Sequence, residues 1–438
     1  MSTLSGFRDG SYTNLTFAQG YICTCAAYYY FYNTLTKTLL YTHMQLTTEP
    51  GSFSAMPFKL NESIPLSHLK VWVLAPHLET NDPNLDYYYD FTQSVAEYTR
   101  TFEEIGVNWI WQPVTMQSYA TVIEQIVTER NAGINFPIVF NICDGDEVNG
   151  TPGVSVVNLL EAKGLIYTGA DAYFYNITTS KITMKEAFDL AGVPTAKWEA
   201  ITNPNQDITG IFERLGAPLI VKPAVSGGSM GVCIKNVVNN EAELKAQITK
   251  MFDGYRGWHL SSGGVVVEEF INGPEFTAMI VGSSDQQKNM QVYEPVERIF
   301  HEALPDNEKF LSFDRLWEIY EDETPMPDNG NFYQYAAAPA SLIRKIKKIS
   351  WDAYVSNGGK GYTRVDLRMD KFSGKISVLE VNAQCGLSED ENYTSIGAIL
   401  RYSNKSFTQM VIEIINDATY RWMKKNRKRK VPALVKAY

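Results

Sequence analysis

Cysteine is scarce in this chain: five in 438 residues, at positions 23, 25, 143, 233 and 385. An odd, thinly spread set suits free thiols in a reducing compartment better than a disulfide framework, so a cytoplasmic location is expected. Positive charge is also in deficit, with 39 Lys and Arg against 49 Asp and Glu. The resulting net charge of −10 argues against a nucleic-acid partner. Long uninterrupted apolar runs are missing. The most apolar early stretch, 15–40, carries Tyr28, Tyr29, Tyr30 and Tyr32 with Gln19, Asn33 and Lys37, too polar for a membrane span. A Walker loop is absent as well, since no Gly-x-x-x-x-Gly-Lys-Ser/Thr occurs.

What is present is an ordinary globular composition, 45% hydrophobic and 20% charged. At roughly 100–200 residues per domain, the length predicts two to four domains. Residues 1–66 read as an extension without an assignable role. From Lys70 a regular pattern begins. Val71–Ala75, Asn108–Trp111 and Pro137–Ile142 read as strands, separated by helix-like stretches ending near Glu104 and spanning Tyr119–Arg130. Such alternation predicts an α/β unit with a parallel sheet over 67–178. Ligands collect beyond the carboxyl ends of such strands. The polar loop from Glu79 and the loop Cys143-Asp144-Gly145-Asp146-Glu147 are therefore candidate substrate contacts.

After Thr178 the pattern changes to α+β. Lys181 to Gly192 predicts a helix stopped by its glycine. Leu219–Pro223 and Val232–Lys235 predict a hairpin around a glycine-rich loop, and Val265–Phe270 a further strand. This part is expected to run over 179–272. A second part, 273–420, holds strands at 276–282, 290–298, 362–369 and 375–381, a polar insertion at 301–330, and helices at 341–357 and 408–425. The tail 421–438 carries eight basic residues and no acid, as a solvated end would.

Three clusters carry chemistry. The first is Lys222 with Ser226-Gly227-Gly228-Ser229-Met230-Gly231. Its glycines let the backbone approach a polyphosphate and free N–H groups cradle the oxygens, while Lys222 reaches the phosphates as a point charge. The second is Glu268-Glu269-Phe270-Ile271 followed by Gly273-Pro274-Glu275. Backbone groups at Phe270 and Ile271 suit an adenine edge, and a carboxylate such as Glu275 suits ribose hydroxyls. The third is Arg364-x-Asp366 on one strand and Glu380-x-Asn382 on the next. Side chains at i and i+2 share a face, so the pair would aim Asp366, Glu380 and Asn382 at one spot. Oxygen ligands of this kind fit Mg²⁺, and Arg364 would stabilise developing negative charge.

The order of Lys181, the glycine loop after Lys222, Glu268 to Phe276, Arg364-x-Asp366 and Glu380-x-Asn382 resembles the D-alanine–D-alanine ligases, over most of 70–415. The stretch Tyr167-Thr-Gly169 through Ala191-Gly-Val-Pro194 is similar to that family too. The resemblance implies an ATP-grasp fold, with an N-terminal parallel-sheet domain and two α+β subdomains clasping ATP. It implies that Lys181 and Lys222 bind ATP phosphates and that Glu268 and Glu275 hold the nucleoside. Asp366, Glu380 and Asn382 would hold two Mg²⁺, with Mn²⁺ as a possible substitute. The reaction implied is an ATP-dependent ligation of a carboxylate to an amine through an acyl-phosphate. Its tetrahedral intermediate would be stabilised by Arg364 and the Gly386 N–H, with the Ser229 loop closing over it. A homodimer acting on small amino-acid-like substrates is also implied, with no membrane or nucleic-acid partner.

The sequence departs from the family in two places. Gly228 stands where the dipeptide ligases usually carry a serine of the substrate-side network. Beyond Asn382, small residues and a serine that receive the second carboxylate are replaced by a stretch ending Glu389-Asp390-Glu391. Three acids would repel a carboxylate. The expectation is therefore a second substrate other than plain D-alanine. The insertion holds Lys309 and Arg315, either of which stands for the family's loop lysine. Two other readings remain at this point: an ATP-grasp kinase acting on a hydroxyl, and a non-catalytic nucleotide-binding module.

Overall fold

The computed structural model describes residues 66–426 apart from 79–89, 255–256, 287–289, 319–322, 327–329 and 393. The extension before Leu66, the apolar stretch at 15–40, Glu79 and the tail beyond Asn426 lie outside the described residues. Among the described residues no helix is long and apolar enough to cross a membrane.

The first sheet is parallel. Its strands β1 (Leu69–Pro76), β2 (Asn108–Val114), β3 (Phe136–Asn141) and β4 (Ile166–Tyr167) lie in the order β2-β1-β3-β4. β1 is buried at every position but Lys70, as a strand with both faces covered must be. On one face Tyr98 and Phe102 of the helix Thr92–Ile105 pack with Phe407, Met410 and Ile414 of the helix Phe407–Asn426. On the other, Ile123, Val156, Leu160 and Phe174 close the core. The strand order reverses between β1 and β3, so the loops following them flank a crevice at the carboxyl ends. The loop after β3 is tightly folded. Tyr175 donates its hydroxyl to Gly145 O at 2.8 Å, and a Cβ on Gly145 would stand 2.1 Å from Thr151 O.

The second sheet is antiparallel: β5 (Trp198–Ile201), β6 (Leu219–Pro223), β7 (Val237–Val238) and β8 (Val265–Glu269), in the order β5-β8-β6-β7. Leu244, Ile248 and Met251 of the helix Glu241–Asp253 pack on Leu219, Val221, Val265 and Val267. Strand alternation then turns Lys222 and Glu268 to the opposite face. The hairpin around the glycine loop is present, but its second arm is displaced. Ile234–Asn236 is a 3-10 turn, and pairing with β6 falls on β7, because Asn236 turns inward and donates to Val221 O and Gly231 O.

The third sheet holds β9 (Glu275–Val281), β10 (Gln291–Val292), β11 (Val296–Phe300), β12 (Tyr333–Ala337), β13 (Tyr362–Met369) and β14 (Ile376–Ala383). Its order is β12-β11-β9-β13-β14, with β10 also pairing to β9, and all its pairs are antiparallel. Ile346, Ala353 and Tyr354 of the helix Ala340–Ser356 pack with Val365, Leu367, Phe276 and Ala278. That apolar face leaves the other for charge. The sequence missed β4, β5, β12, and the helices Val154–Ala162, Ala172–Thr179, Glu241–Asp253 and Ser395–Tyr402. The insertion is also less irregular than expected, since it contains the short helix Phe313–Trp317.

Candidate active site

β13 and β14 pair with Arg364 opposite Asn382 and Asp366 opposite Glu380. All four side chains thus rise on one face. Arg364 grips Asp366 in a fork: Nε lies 3.1 Å from both carboxylate oxygens and Nη2 lies 3.0 Å from Oδ2. Asn382 Nδ2 donates to Asp366 Oδ2 at 2.9 Å. Burial alone would raise the Asp366 carboxyl, but the Arg364 and Arg298 guanidiniums outweigh it and hold the group below its ordinary value. The bulge directly after Asp366 ends the even register there. Among the described residues no cluster of three His, Cys, Asp or Glu offers a metal site. Two carboxylates and an amide are instead a hard-oxygen set. They fit a cation that keeps waters and phosphate oxygens in its shell.

Lys181 joins this floor to the glycine loop. Its backbone N–H donates to Ala224 O at 2.7 Å, and its Nζ reaches Ser226 O at 3.4 Å and Glu380 Oε2 at 3.3 Å. Ser226, where the loop begins, therefore lies near the carboxylate floor. The loop is folded on itself by Met230 N–H to Gly227 O at 3.0 Å and Val232 N–H to Ser229 O at 2.9 Å. Gly228, Ser229 and Gly231 have φ of 54°, 62° and 75°, a left-handed path in which backbone amides turn to one side. The insertion straps onto it: Trp317 Nε1 donates to Gly228 O at 2.8 Å, and Phe313 N–H to Val232 O at 2.8 Å.

The expected nucleoside carboxylates are differently employed. Glu268 is 1% exposed, with one oxygen ion-paired to Lys222 and the other 2.6 Å from Lys185 Nζ. Burial would raise its carboxyl, yet the two ammonium groups hold it at about 2. Glu275 is also buried, ion-paired to Arg298 and 3.8 Å from Arg368 Nη1. Neither carboxylate is open to a ribose. The Phe270 N–H is likewise taken by Pro218 O at 3.0 Å, and the Glu269 N–H by Lys197 O at 2.9 Å. Phe270 and Ile271 are buried, with the Phe270 ring between Phe310 and Arg368.

The substrate-side candidates divide. Asp144 sits at the carboxyl end of β3, solvent-reached yet ringed by protein, and this crowding pushes its carboxyl up to about 6. Gly386 follows β14, and a Cβ there would stand 3.8 Å from Thr394 Cγ2, in ordinary contact. Arg315 is buried between Glu308 at 2.7 Å and Glu323 at 3.6 Å, so it braces the insertion from within. Lys309 pairs with Asp306 at 3.2 Å. The three acids do not converge on a ligand. Glu389 pairs with Arg100, Glu391 pairs with Arg401 at 2.5 Å, and Asp390 accepts the Asn392 N–H at 2.9 Å. Glu389 and Glu391 are thus answered by arginines near the surface, and Asp390 caps its own turn. The expected exclusion of D-alanine as second substrate therefore finds no support in the placement of these acids.

Three residues of the site escaped the sequence. Arg298 gave no signal. Lys185 did: it shares the buried helix face of Met184 and Phe188, where a lysine demands a partner. Gln384 has φ 57° and ties β14 to the parallel-sheet domain through Ala170 and Asn141.

A glycine-hooded hairpin facing a carboxylate-bearing antiparallel sheet, behind a parallel-sheet domain, is the architecture of the ATP-grasp enzymes. Residues 187–416 match the family model described as D-ala D-ala ligase C-terminus, and the chain belongs to that family. It is an ATP-dependent ligase forming C–N bonds. The D-alanine--D-alanine ligase of Acetivibrio thermocellus is 24% identical over 340 residues, 76% of this chain and 79% of that protein. That of Mannheimia succiniciproducens is 28% identical over 283 residues, 64% of this chain and 80% of its own length. In solved structures the fold is shared with the Bacillus anthracis D-alanine--D-alanine ligase complexed with ATP. There the TM-score is 0.57 at 17% identity, covering 81% of this chain and 99% of that one. The Coxiella burnetii enzyme gives 0.53 at 16% identity, covering 82% of this chain and 97% of that one.

Proposed function

We propose that this ligase joins two small amino acids through an acyl-phosphate, and that a pair of D-alanines is the first combination to test. The single observation carrying the reading is the register of β13 on β14, which sets Arg364, Asp366, Glu380 and Asn382 on one face within reach of Lys181. Asp366, Glu380 and Asn382 would hold two Mg²⁺ ions, which supply charge neutralisation for phosphoryl transfer. Lys181 and Lys222 neutralise the phosphates from the side of the glycine loop.

The chemistry then follows. A carboxylate oxygen of the first substrate attacks the γ-phosphorus, and ADP leaves. The amine nitrogen of the second substrate attacks the acyl carbon, loses a proton, and inorganic phosphate departs as the amide forms. Arg364 and the Gly386 N–H face the tetrahedral oxyanion. Proximity of the two substrates supplies much of the acceleration. The glycine loop with its strapped insertion keeps water from the acyl-phosphate.

The family names of the relatives favour D-alanine, and the pairing of Glu389 with Arg100 and of Glu391 with Arg401 weakens the charge objection to it. The test is a screen of amino acids, singly and in pairs, for ATP-dependent phosphate release, with mass analysis of products. A condensed dipeptide is expected. ADP release in which no amine is consumed, no inorganic phosphate appears and a phosphorylated hydroxyl accumulates would instead identify a kinase.

A further inference from the structure

Lys185 belongs to no motif of the sequence. It lies one turn after Lys181 on the helix Lys181–Ala191 and is 1% exposed. Its Nζ stands 2.6 Å from Glu268 Oε2 and donates to Thr195 Oγ1 at 2.8 Å. Thr195 Oγ1 in turn donates to Val378 O at 3.0 Å, two residues before Glu380 on β14. The other Glu268 oxygen meets Lys222. The result is a row, Lys185–Glu268–Lys222, whose far end lies on the strand that leads into the glycine loop and whose near end is anchored through Thr195 to β14.

Charge explains why a lysine stands here. Packing among Met184 and Phe188 would favour methionine or leucine, since burying an ammonium is costly unless it is paired. Glu268 and Lys222 alone sum to zero. A phosphate approaching Lys222 would then meet a neutral ion pair, and binding would require breaking it. With Lys185 the row carries one net positive charge, and Glu268 is shared between two ammoniums. In a low-dielectric setting that remaining charge acts strongly on nearby phosphates.

We propose that Lys185 is a positioning residue for the nucleotide: it takes up part of the Glu268 charge, so that Lys222 stays oriented and electropositive toward the ATP phosphates. This rests on the nucleotide reading given above. Glu268 is ionised throughout the neutral range, since Lys185 and Lys222 outweigh burial and hold it at about 2.

The test uses the full chain and MgATP without amino acids, read by calorimetric titration, with circular dichroism and thermal melting to monitor folding. Lys185→Met is expected to weaken MgATP binding by roughly ten- to a hundredfold, the effect of one unit charge acting across several ångströms at intermediate dielectric. Adding Glu268→Gln removes the carboxylate that neutralises Lys222, so the double variant is expected to regain most of the lost affinity. Lys185→Arg is expected to stay within a few fold of the parent. A purely structural lysine would give a double variant no better than the single one. Parent-like binding by Lys185→Met, or a folded double variant as weak as the single, overturns the proposal. If only the double variant folds and binds like the parent, charge balance is upheld. If neither folds, Lys185 serves packing and the proposal is lost. Failure of the parent chain to bind MgATP would strike the nucleotide reading itself, a result distinct from all of these.

Discussion

Replacing Gln384 should uncouple the catalytic sheet from the parallel-sheet domain, and the structure sets the size of the effect. Gln384 Oε1 accepts the Ala170 N–H at 2.8 Å, and its Nε2 donates to Asn141 O at 2.9 Å. All three residues are buried. Gln384→Ala leaves one backbone donor and one backbone acceptor unpartnered, each costing about 1–3 kcal/mol. Gly169 packs so closely that a Cβ there would lie 1.6 Å from Gln384 Oε1, so the truncation opens room for a water that recovers part of the loss. The net expectation is about 2–4 kcal/mol. Backbone strain adds a second, opposite effect. Gln384 has φ 57°, a left-handed conformation that costs about 1 kcal/mol for a residue bearing a Cβ and nothing for glycine. Gln384→Gly should therefore be less damaging than Gln384→Ala by about 1 kcal/mol, although it removes more atoms. Urea unfolding, with hydrogen exchange at the Ala170 amide, measures both. An alanine variant within about 0.5 kcal/mol of the parent, or a glycine variant below the alanine one, would refute the reasoning.

Other expectations follow from the same geometry. Asp366→Asn and Glu380→Gln should each lower ATP-dependent phosphate release by at least about a hundredfold, the scale of losing charge at a phosphoryl-transfer centre; turnover that survives both would remove the metal assignment. Glu268 is ordinary at 4.5 and lies near 2 in the folded chain, so its contribution is present above pH 4.5 and lost as pH falls toward 2. That contribution is about 3 kcal/mol, and in acid titrations Glu268→Gln should lose less stability across this window than the parent loses. Trp317→Phe removes the bond to Gly228 O and should raise the KM for ATP by about fivefold, the scale of one hydrogen bond, with kcat unchanged. Arg100→Ala and Glu389→Ala, an exposed pair, should each shift stability by under about 0.5 kcal/mol and leave the amino-acid preference unaltered; an altered preference would restore a substrate role to Glu389.

Periodicity made the scaffold legible where strands were apolar and long. The run Tyr362–Met369 was read at its observed bounds, and Lys181–Ala191 was bracketed by its closing glycine. The facing of Asp366, Glu380 and Asn382 followed from the two-residue repeat alone. Short elements such as Val237–Val238 and Ile166–Tyr167 carry too few residues to show a period, and tertiary pairing alone defines them. Partners were the other blind spot. Spacing cannot tell that Arg298, from a different strand, occupies Glu275, nor that Arg100, on the first described helix, answers Glu389 nearly three hundred positions later. Three consecutive acids therefore look like an uncompensated field, whereas Arg100 and Arg401 answer two of them.

The ion pairs Lys181–Glu380 and Arg364–Asp366 have a consequence for loading. Under the roles proposed above, Lys181, Glu380 and Asp366 would each already hold a counter-ion before cation or phosphate binds. Arrival of nucleotide with its metals is then an exchange of partners, in which lysine trades carboxylate for phosphate while the freed carboxylate trades ammonium for metal. Neither half of the trade is favourable without the other. Bare metal or bare nucleotide should thus enter poorly, and the two should arrive as a single cargo.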